Sequence, residues 1–398
     1  MSVQTIEQTP KTDVGPVMCV VGARPNFMKM APILRAMAAH VPPIAVLLVH
    51  TGQHYDKDMS DRLFEDLQLP RPDVNLEVGS GSHATQTAEV MRRFEPVVDA
   101  HRPSCVAVVG DVNSTLACAL VAVKKGIPVV HIEAGLRSYD RTMPEEINRL
   151  LTDQISDRLY TTERRAEDNL RLEGIPSSRV CFAGNVMIDS VVFGRTNARS
   201  ARDTLQACHI DPQVLRHARG YGVVTLHRPA NVDHPETLRA LLGVLGEVAN
   251  CLPLVFALHP RTRSNIDRFG LTELIDPAHV VLLPPQGYLE MLGLMAGATV
   301  VLTDSGGLQE ETTALGVPCL TLRENTERPI TVEEGTNIVV GRDRDAILGA
   351  VQEILAGRGK RGRVPEYWDG HAAERIAADL YQWLPHRHAG SSFKSGNT

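Results

Sequence analysis

Nine short runs of β-branched and aliphatic residues constrain this chain more than any other feature of it. The first half holds VMCVVG (17–22), IAVLLVH (44–50), CVAVVG (105–110) and PVVHIE (128–133). The second half holds GVVTLH (222–227), LVFAL (254–258), HVVLL (279–283), TVVLT (299–303) and VPCLTL (317–322). They are apolar along their length instead of alternating, the pattern of strands buried on both faces of a parallel sheet. Between them, stretches such as 113–124 and 235–250 have helical length and apolar residues three and four apart. Strand–helix alternation that occurs in two blocks predicts two doubly wound, Rossmann-like α/β domains.

The 398 residues suffice for two such domains, expected over 16–193 and 212–370, with a hinge region between them near 194–211. Residues 1–15 and 385–398 are polar and read as disordered tails. The balance of 41 Lys+Arg against 47 Asp+Glu, a net −6, lacks the basic footprint of a nucleic-acid binder. No run of about 18 apolar residues is present, so no transmembrane helix is expected, and the polar first fifteen residues lack a signal-peptide core. Seven scattered cysteines without a C-x-x-C pair fit free thiols in a reducing cytoplasm and argue against a zinc site.

Ligands of open parallel sheets bind beyond the carboxyl ends of the strands, and this chain places polar clusters there. Strand one runs into a turn holding Gly22, Arg24 and Lys29; later strands run into Gly110-Asp111, Glu133, His227-Arg228, His259-Pro-Arg261 and Asp304-Ser-Gly-Gly307. In the last of these, Ser305, Gly306 and Gly307 open a helix whose free N–H groups and positive dipole end suit a diphosphate. Arg24, Lys29 and Arg328 add cations for it. Glu310 and Glu311 either complement the helix dipole or accept hydrogen bonds from a ribose diol.

Taken on its own, Asp111 reads as the N-cap of a helix starting near Asn113. Glu133 precedes a glycine and has no helix to cap. Glu145 sits in Thr142-Met-Pro-Glu145, a capping-box pattern with Pro at N1, and divides evenly between structural and catalytic readings. Three carboxylates in one cleft are expected to raise each other's pKa values, as general acid/base work requires. Gly79-Ser-Gly81-Ser-His-Ala84 matches a relaxed dinucleotide pattern, but the polar, alternating segment before it favours a solvated loop.

Taken together, GARPNFMKMAP, TGQHYDKDM, GDVNSTLA, HIEAGLRS, MPEEINR, GNVMIDS, LHRPANVD, TDSGGLQEE and ENTERP resemble the UDP-N-acetylglucosamine 2-epimerase family from about Val17 to about Leu384. The resemblance implies a glycosyltransferase-B-like architecture with an interdomain cleft, and a last helix over 371–384 that returns to the first domain. It implies a UDP-sugar substrate and a homodimeric, cytoplasmic isomerase of polysaccharide biosynthesis that needs neither cofactor nor metal. The family's catalytic set would fall on Asp111, Glu133, Glu145 and His227. Its substrate contacts would fall on Arg24, Lys29, His259, Ser305, Gly306, Gly307, Glu311 and Arg328, and an allosteric site on Gln53 and His54. Leu226-His-Arg-Pro-Ala-Asn231 departs from the G-H-R-R-E of better-known bacterial members, and Gly110-Asp-Val112 from their G-D-T.

The expected reaction is inversion at C2 by elimination of UDP to a 2-acetamidoglucal and re-addition, because the C2 proton has no adjacent carbonyl to acidify it. The alternatives are a hydrolysing 2-epimerase that releases free N-acetylmannosamine, a glycosyltransferase of the same architecture, an NAD-dependent sugar oxidoreductase and a silent nucleotide-sugar sensor.

Overall fold

The computed structural model describes residues 15–52 and 63–390, the last six as backbone only. All nine apolar runs form strands, and four further strands join them. The first sheet comprises β1 (Val17–Val21), β2 (Val46–His50), β3 (Val74–Asn75), β4 (Cys105–Val109), β5 (Val129–Ala134), β6 (Arg158–Thr161) and β7 (Val180–Phe182). The second comprises β8 (Gly222–Thr225), β9 (Leu254–Ala257), β10 (Val280–Leu283), β11 (Val300–Thr303), β12 (Cys319–Thr321) and β13 (Asn337–Val339).

The strand orders are β3-β2-β1-β4-β5-β6-β7 and β10-β9-β8-β11-β12-β13, with every pairing parallel. The same doubly wound order is thus built twice. Each sheet reverses its winding direction beside its first strand, between β1 and β4 and between β8 and β11. Crevices open at such reversals because the loops on either side lead to opposite faces.

Helices cover both faces of each sheet, so the strands are dry: β1, β4 and β5 are buried along their whole length. One face of the first sheet packs Met18, Val20, Val106 and Val108 against Phe94 and Val98, and the far face of the second packs Val224, Phe256 and Leu302 against Leu238 and Leu245. The remaining two faces share one apolar cluster, continuous from Cys19 and Ile33 through Val191 to Leu292 and Val301. The helices Val186–Arg195 and Tyr288–Ala296 carry it between the halves.

The helix Ala372–Gly390 adds Ile376, Leu380 and Leu384 to this shared cluster beside Ile33 and Met37 of the helix Arg24–Ala39. Its backbone continues six residues past Leu384, into the segment read as a tail. The apolar periodicity does stop at Leu384, but a helix already nucleated upstream adds a hydrogen bond with each further residue. Residues 1–14 and 391–398, which hold the rest of both expected tails, lie outside the described residues.

The segment 194–211 is not bare chain. Ser200 accepts a hydrogen bond from the Asp203 N–H at 3.1 Å and starts the helix Ala201–Ala207, whose Leu205 is buried. The Gly79–Gly81 segment is a loop, leading to a helix (His83–His101) capped by Ser82. No described helix is long and apolar enough to cross a membrane.

Candidate active site

The chain enters the site directly from β1. Gly22 and Ala23 make the whole turn, and the expected turn residues Arg24 to Lys29 are already helical. Asn26 explains the abruptness. Its side-chain carbonyl accepts from the N–H groups of Gly22 (3.1 Å) and Ala23 (3.0 Å), and its amide donates to the Val109 carbonyl at the end of β4 (2.9 Å). One amide therefore closes the helix start and ties it across the first sheet's winding reversal.

Lys29, one turn on, is buried against Glu133, with Nζ 2.7 and 2.6 Å from the two carboxylate oxygens. From the other half of the molecule, the Arg328 guanidinium donates to Glu133 Oε1 at 3.0 Å. Arg328 also lies 3.0 Å from Glu310, which accepts a hydrogen bond from Asn185 at 2.8 Å. Lys29, Glu133, Arg328 and Glu310 are all buried. Glu133 is therefore a carboxylate on which both halves converge. Its backbone is left-handed, φ +69°, at a bulge where Glu133 is the extra residue of β5, opposite none on β6. A glutamate in that region stores strain, the kind of distortion that re-aims a side chain beside a functional site.

Asp111 does not cap the following helix; Val112 occupies that position. Its carboxylate pairs with Arg149, and Arg149 also holds Glu146 at 2.6 Å. The expectation of mutually raised carboxylate pKa values fails here. Burial pushes the Asp111 pKa up, but Arg149, Lys29 and Arg328 outweigh it and hold it below the ordinary value. Cations interleaved with the carboxylates reverse the sign.

Glu145 begins no capping box. Met143 is the N-cap, and the Thr142 hydroxyl donates to Asp140 at 2.6 Å instead. Pro144 does occupy N1, and Glu145 stands half-buried in the first turn. The neighbouring Glu146 binds the N–H groups of Ser138 (3.0 Å) and Tyr139 (2.9 Å).

In the second half, His227 follows β8 and Asp304 follows β11, facing each other across that sheet's winding reversal. Fully buried Asp304 accepts the His227 and Arg228 backbone N–H groups at 3.0–3.1 Å and lies 3.0 Å from His227 Nδ1. A carboxylate only accepts, so Nδ1 carries a proton. Burial raises the Asp304 pKa, yet the contacts with His227 and Arg228 bring it below the usual value. The His259 ring lies 5.7 Å away. It caps its own helix by accepting the Arg261 N–H at 3.2 Å, and partial burial and the His227 charge lower its pKa. His259 thus offers a neutral donor rather than a cation.

Ser305 is the N-cap of the helix Gly306–Leu315, with no side-chain cap of its own, so first-turn N–H groups remain for an anion. Beside them lies Glu327, 2.8 Å from Arg323 and 3.4 Å from Arg228. A Cβ on Gly306 would come within 2.6 Å of this carboxylate. Glu311, farther along the helix, is buried, and burial pushes its pKa up to about 8 against the pull of Arg24. Arg24 itself reaches solvent but lies near Glu311, Asp66 and Tyr288. Gln53 and His54 lie outside the described residues, and among the described residues no group of three His, Cys, Asp or Glu is arranged to hold a metal.

Several neighbours of these groups escape a strand-end reading. Arg149 and Asn185 lie within the motifs MPEEINR and GNVMIDS but carry no signal of which carboxylate they meet. Asp304 was visible in TVVLTD, though its pairing with His227 depends on β8 and β11 being neighbours. Glu163, after β6, is buried with a pKa raised to about 7 by burial, in a site that also holds Arg328 and Glu310.

Comparison with known proteins gives the family. A sequence profile of the UDP-N-acetylglucosamine 2-epimerase family matches residues 37–381. A UDP-N-acetylglucosamine 2-epimerase of Methanococcus maripaludis is 40% identical over 84% of this chain and 90% of its own. A UDP-2,3-diacetamido-2,3-dideoxy-D-glucuronate 2-epimerase of Pseudomonas aeruginosa is 40% identical over 92% and 99%. The crystal structure of the Methanocaldococcus jannaschii UDP-GlcNAc 2-epimerase with UDP-GlcNAc and UDP superimposes with a TM-score of 0.79 at 39% identity, covering 92% of this chain and 99% of that one. With two doubly wound domains meeting over this carboxylate-lined cleft, and similarity along nearly its whole length, the chain belongs to the UDP-N-acetylglucosamine 2-epimerase family and is an isomerase of nucleotide sugars.

Proposed function

We propose that this enzyme interconverts UDP-N-acetylglucosamine and UDP-N-acetylmannosamine without net hydrolysis. The observation that carries the reading is Glu133, strained and held between Lys29 of one half and Arg328 of the other. A base takes the proton from C2 as the C1–O bond breaks, the electron pair forming the C1–C2 double bond of 2-acetamidoglucal and UDP leaving as an anion. UDP then re-adds at C1 while a proton reaches C2 from the opposite face.

Inversion requires acid/base groups on both faces of the sugar. Asp111, Glu133 and Glu145 supply one set; His227, oriented by Asp304, supplies the other. Lys29 and Arg328, expected at the diphosphate, act here through Glu133, which they hold in place. Departing UDP is stabilised by the helix start at Ser305, Gly306 and Gly307 together with Arg24, charge already in place before the bond breaks. His259 donates a neutral hydrogen bond to the nucleotide, and Glu311, largely protonated at neutral pH, donates to and accepts from the ribose diol. The named activities of the M. maripaludis and M. jannaschii relatives support the substrate. The equally similar P. aeruginosa relative makes the diacetamido uronate the sugar to set against it.

The test is turnover in deuterated water, followed by proton NMR, with UDP-GlcNAc and the diacetamido uronate side by side. The expected product is UDP-ManNAc carrying deuterium at C2, with no added nicotinamide. Asp111→Asn, Glu133→Gln and Glu145→Gln should each lower turnover by roughly 10²-fold or more while UDP still binds. Retention of the C2 proton would refute elimination, and stoichiometric free ManNAc would establish the hydrolysing reaction instead.

A further inference from the structure

His131 sits two residues before Glu133 on β5, fully buried, and is not one of the expected catalytic or substrate-binding residues. Its Nδ1 lies 2.6 Å from Asp153 Oδ1 and its Nε2 lies 2.8 Å from the Gly110 carbonyl. A carbonyl can only accept, and so can the Asp153 carboxylate, which burial pushes up but His131 and Arg137 hold ionised, below its usual pKa. Both ring nitrogens therefore donate. The second Asp153 oxygen takes the Gly135 N–H at 3.0 Å and Arg137 at 2.7 Å, and Arg137 is closed off by Glu173 at 2.6 Å.

What these bonds join is specific. Gly110 immediately precedes Asp111, and its backbone is left-handed, φ +69°. Gly135 lies just past the bulge that holds Glu133. Asp153 is on the helix Pro144–Ile155, whose first turn carries Glu145 and whose Arg149 grips Asp111. All three proposed acid/base carboxylates thus hang from segments that meet at one imidazole and its aspartate.

We propose that His131 is a positioning residue for the epimerisation: by donating from both nitrogens it locks the β4 end, the β5 bulge and the Pro144–Ile155 helix in register, and so sets the spacing of Asp111, Glu133 and Glu145. The proposal rests on the catalytic reading of those carboxylates. It requires no contact between His131 and substrate. A misplacement of reacting groups by a fraction of the carboxylate spacing lowers the rate of the bond-making steps without weakening nucleotide binding.

Two substitutions separate this role from simple packing. In His131→Gln the amide nitrogen falls near the place of Nε2 and keeps the bond to Gly110; in His131→Asn it falls near Nδ1 and keeps the bond to Asp153. Each variant loses one of the two bonds. His131→Asn should lower kcat by roughly 10²-fold, with KM for UDP-GlcNAc and calorimetric UDP affinity within about threefold of wild type. His131→Gln, which keeps the β4 end tied, should retain at least tenfold more kcat than His131→Asn. Equal kcat losses in the two variants, losses that track their thermal midpoints, or a parallel loss of UDP affinity would overturn the proposal.

A ring-15N histidine spectrum of the unsubstituted enzyme tests it even if neither variant folds. One histidine should carry protons on both nitrogens, and a single-proton pattern for His131 would overturn the assignment. If the enzyme turned over neither sugar nucleotide, the functional reading would fall, while the spectrum would still report on His131.

Discussion

Glu133 and Gly306 show how much one position can carry in this site. Glu133 keeps a left-handed backbone that a glycine would adopt more cheaply, because its carboxylate is gripped from both halves by Lys29 and Arg328. Gly306 is constrained from the other direction: a Cβ there would press on Glu327, the carboxylate that Arg228 and Arg323 hold beside the helix start. Gly306→Val should displace Glu327 and weaken UDP binding by roughly tenfold or more, since the backbone N–H groups lose their approach. Calorimetric titration of the folded variant checks this, and unchanged affinity would remove the helix start from the diphosphate site. The residue types at these positions were legible because each ends an apolar run. Their partners were not. Lys29 reads as a diphosphate ligand in the chain, and nothing local announces that it also pairs with Glu133, 104 residues away.

At the scale of elements, the first helix and the last are linked through the shared apolar cluster. Ile376, Leu380 and Leu384 of the helix Ala372–Gly390 lie in one cluster with Ile33 and Met37 of the helix Arg24–Ala39. Arg158 and Tyr160 of β6 bind Asp379 from the side, the tyrosine at 2.7 Å. The helix start is secured by Asp189, which accepts the N–H groups of Ala372 (3.2 Å) and Ala373 (2.7 Å). Leu380 is fully buried, so Leu380→Ala should cost about 2–5 kcal/mol in a urea titration. A loss below about 1 kcal/mol would mean the helix contributes little to the fold. The extent of this helix could be read only as far as its apolar periodicity reached, and the capping at Thr142 was misplaced by one residue for the same local reason. A side-chain cap competes with other acceptors, and Asp140 took the Thr142 hydroxyl.

Across the whole molecule, polar contacts join the halves at the cleft, among them the Asn185–Glu310 hydrogen bond. Arg328 reaches Glu133 at 3.0 Å, and Asp66 accepts the Tyr288 N–H at 3.2 Å at the start of the helix Tyr288–Ala296. Arg328→Ala should loosen the closed arrangement, seen as a larger radius of gyration in solution scattering and a smaller contraction on adding UDP. An unchanged radius in both states would show that Arg328 does not hold the halves together.

The buried carboxylates also set a pH dependence. Burial raises the pKa of Asp189 to about 6, Glu163 to about 7 and Glu311 to about 8. A group whose folded pKa lies above its unfolded value binds more protons in the folded state, so stability falls as pH rises between the two values. The contributions of Asp111, Asp153 and Asp304, whose pKa values are lowered, run the other way but are lost only as pH falls below about 4. The thermal midpoint should therefore be higher at pH 5.5 than at pH 8.5, and Glu311→Gln should remove part of the difference. A midpoint that rises between those pH values would contradict the assigned shifts.

Local physics determined a great deal of this protein. Apolar runs too uniform to face water had to become interior parallel strands, and polar clusters at their carboxyl ends had to line a crevice. The ordered motifs then pointed to one family. What local physics could not determine is which strand lies beside which. The order β2-β1-β4 and its copy β9-β8-β11 arise from crossovers that pack helices on both faces, a property of the assembled sheets. Only that order sets His227 against Asp304, and only closure of the two halves sets Arg328 against Glu133. Ionisation follows from the same assembly: cations from distant segments hold Asp111 below its usual pKa, whereas Glu311, with less compensation for its burial, rises to about 8.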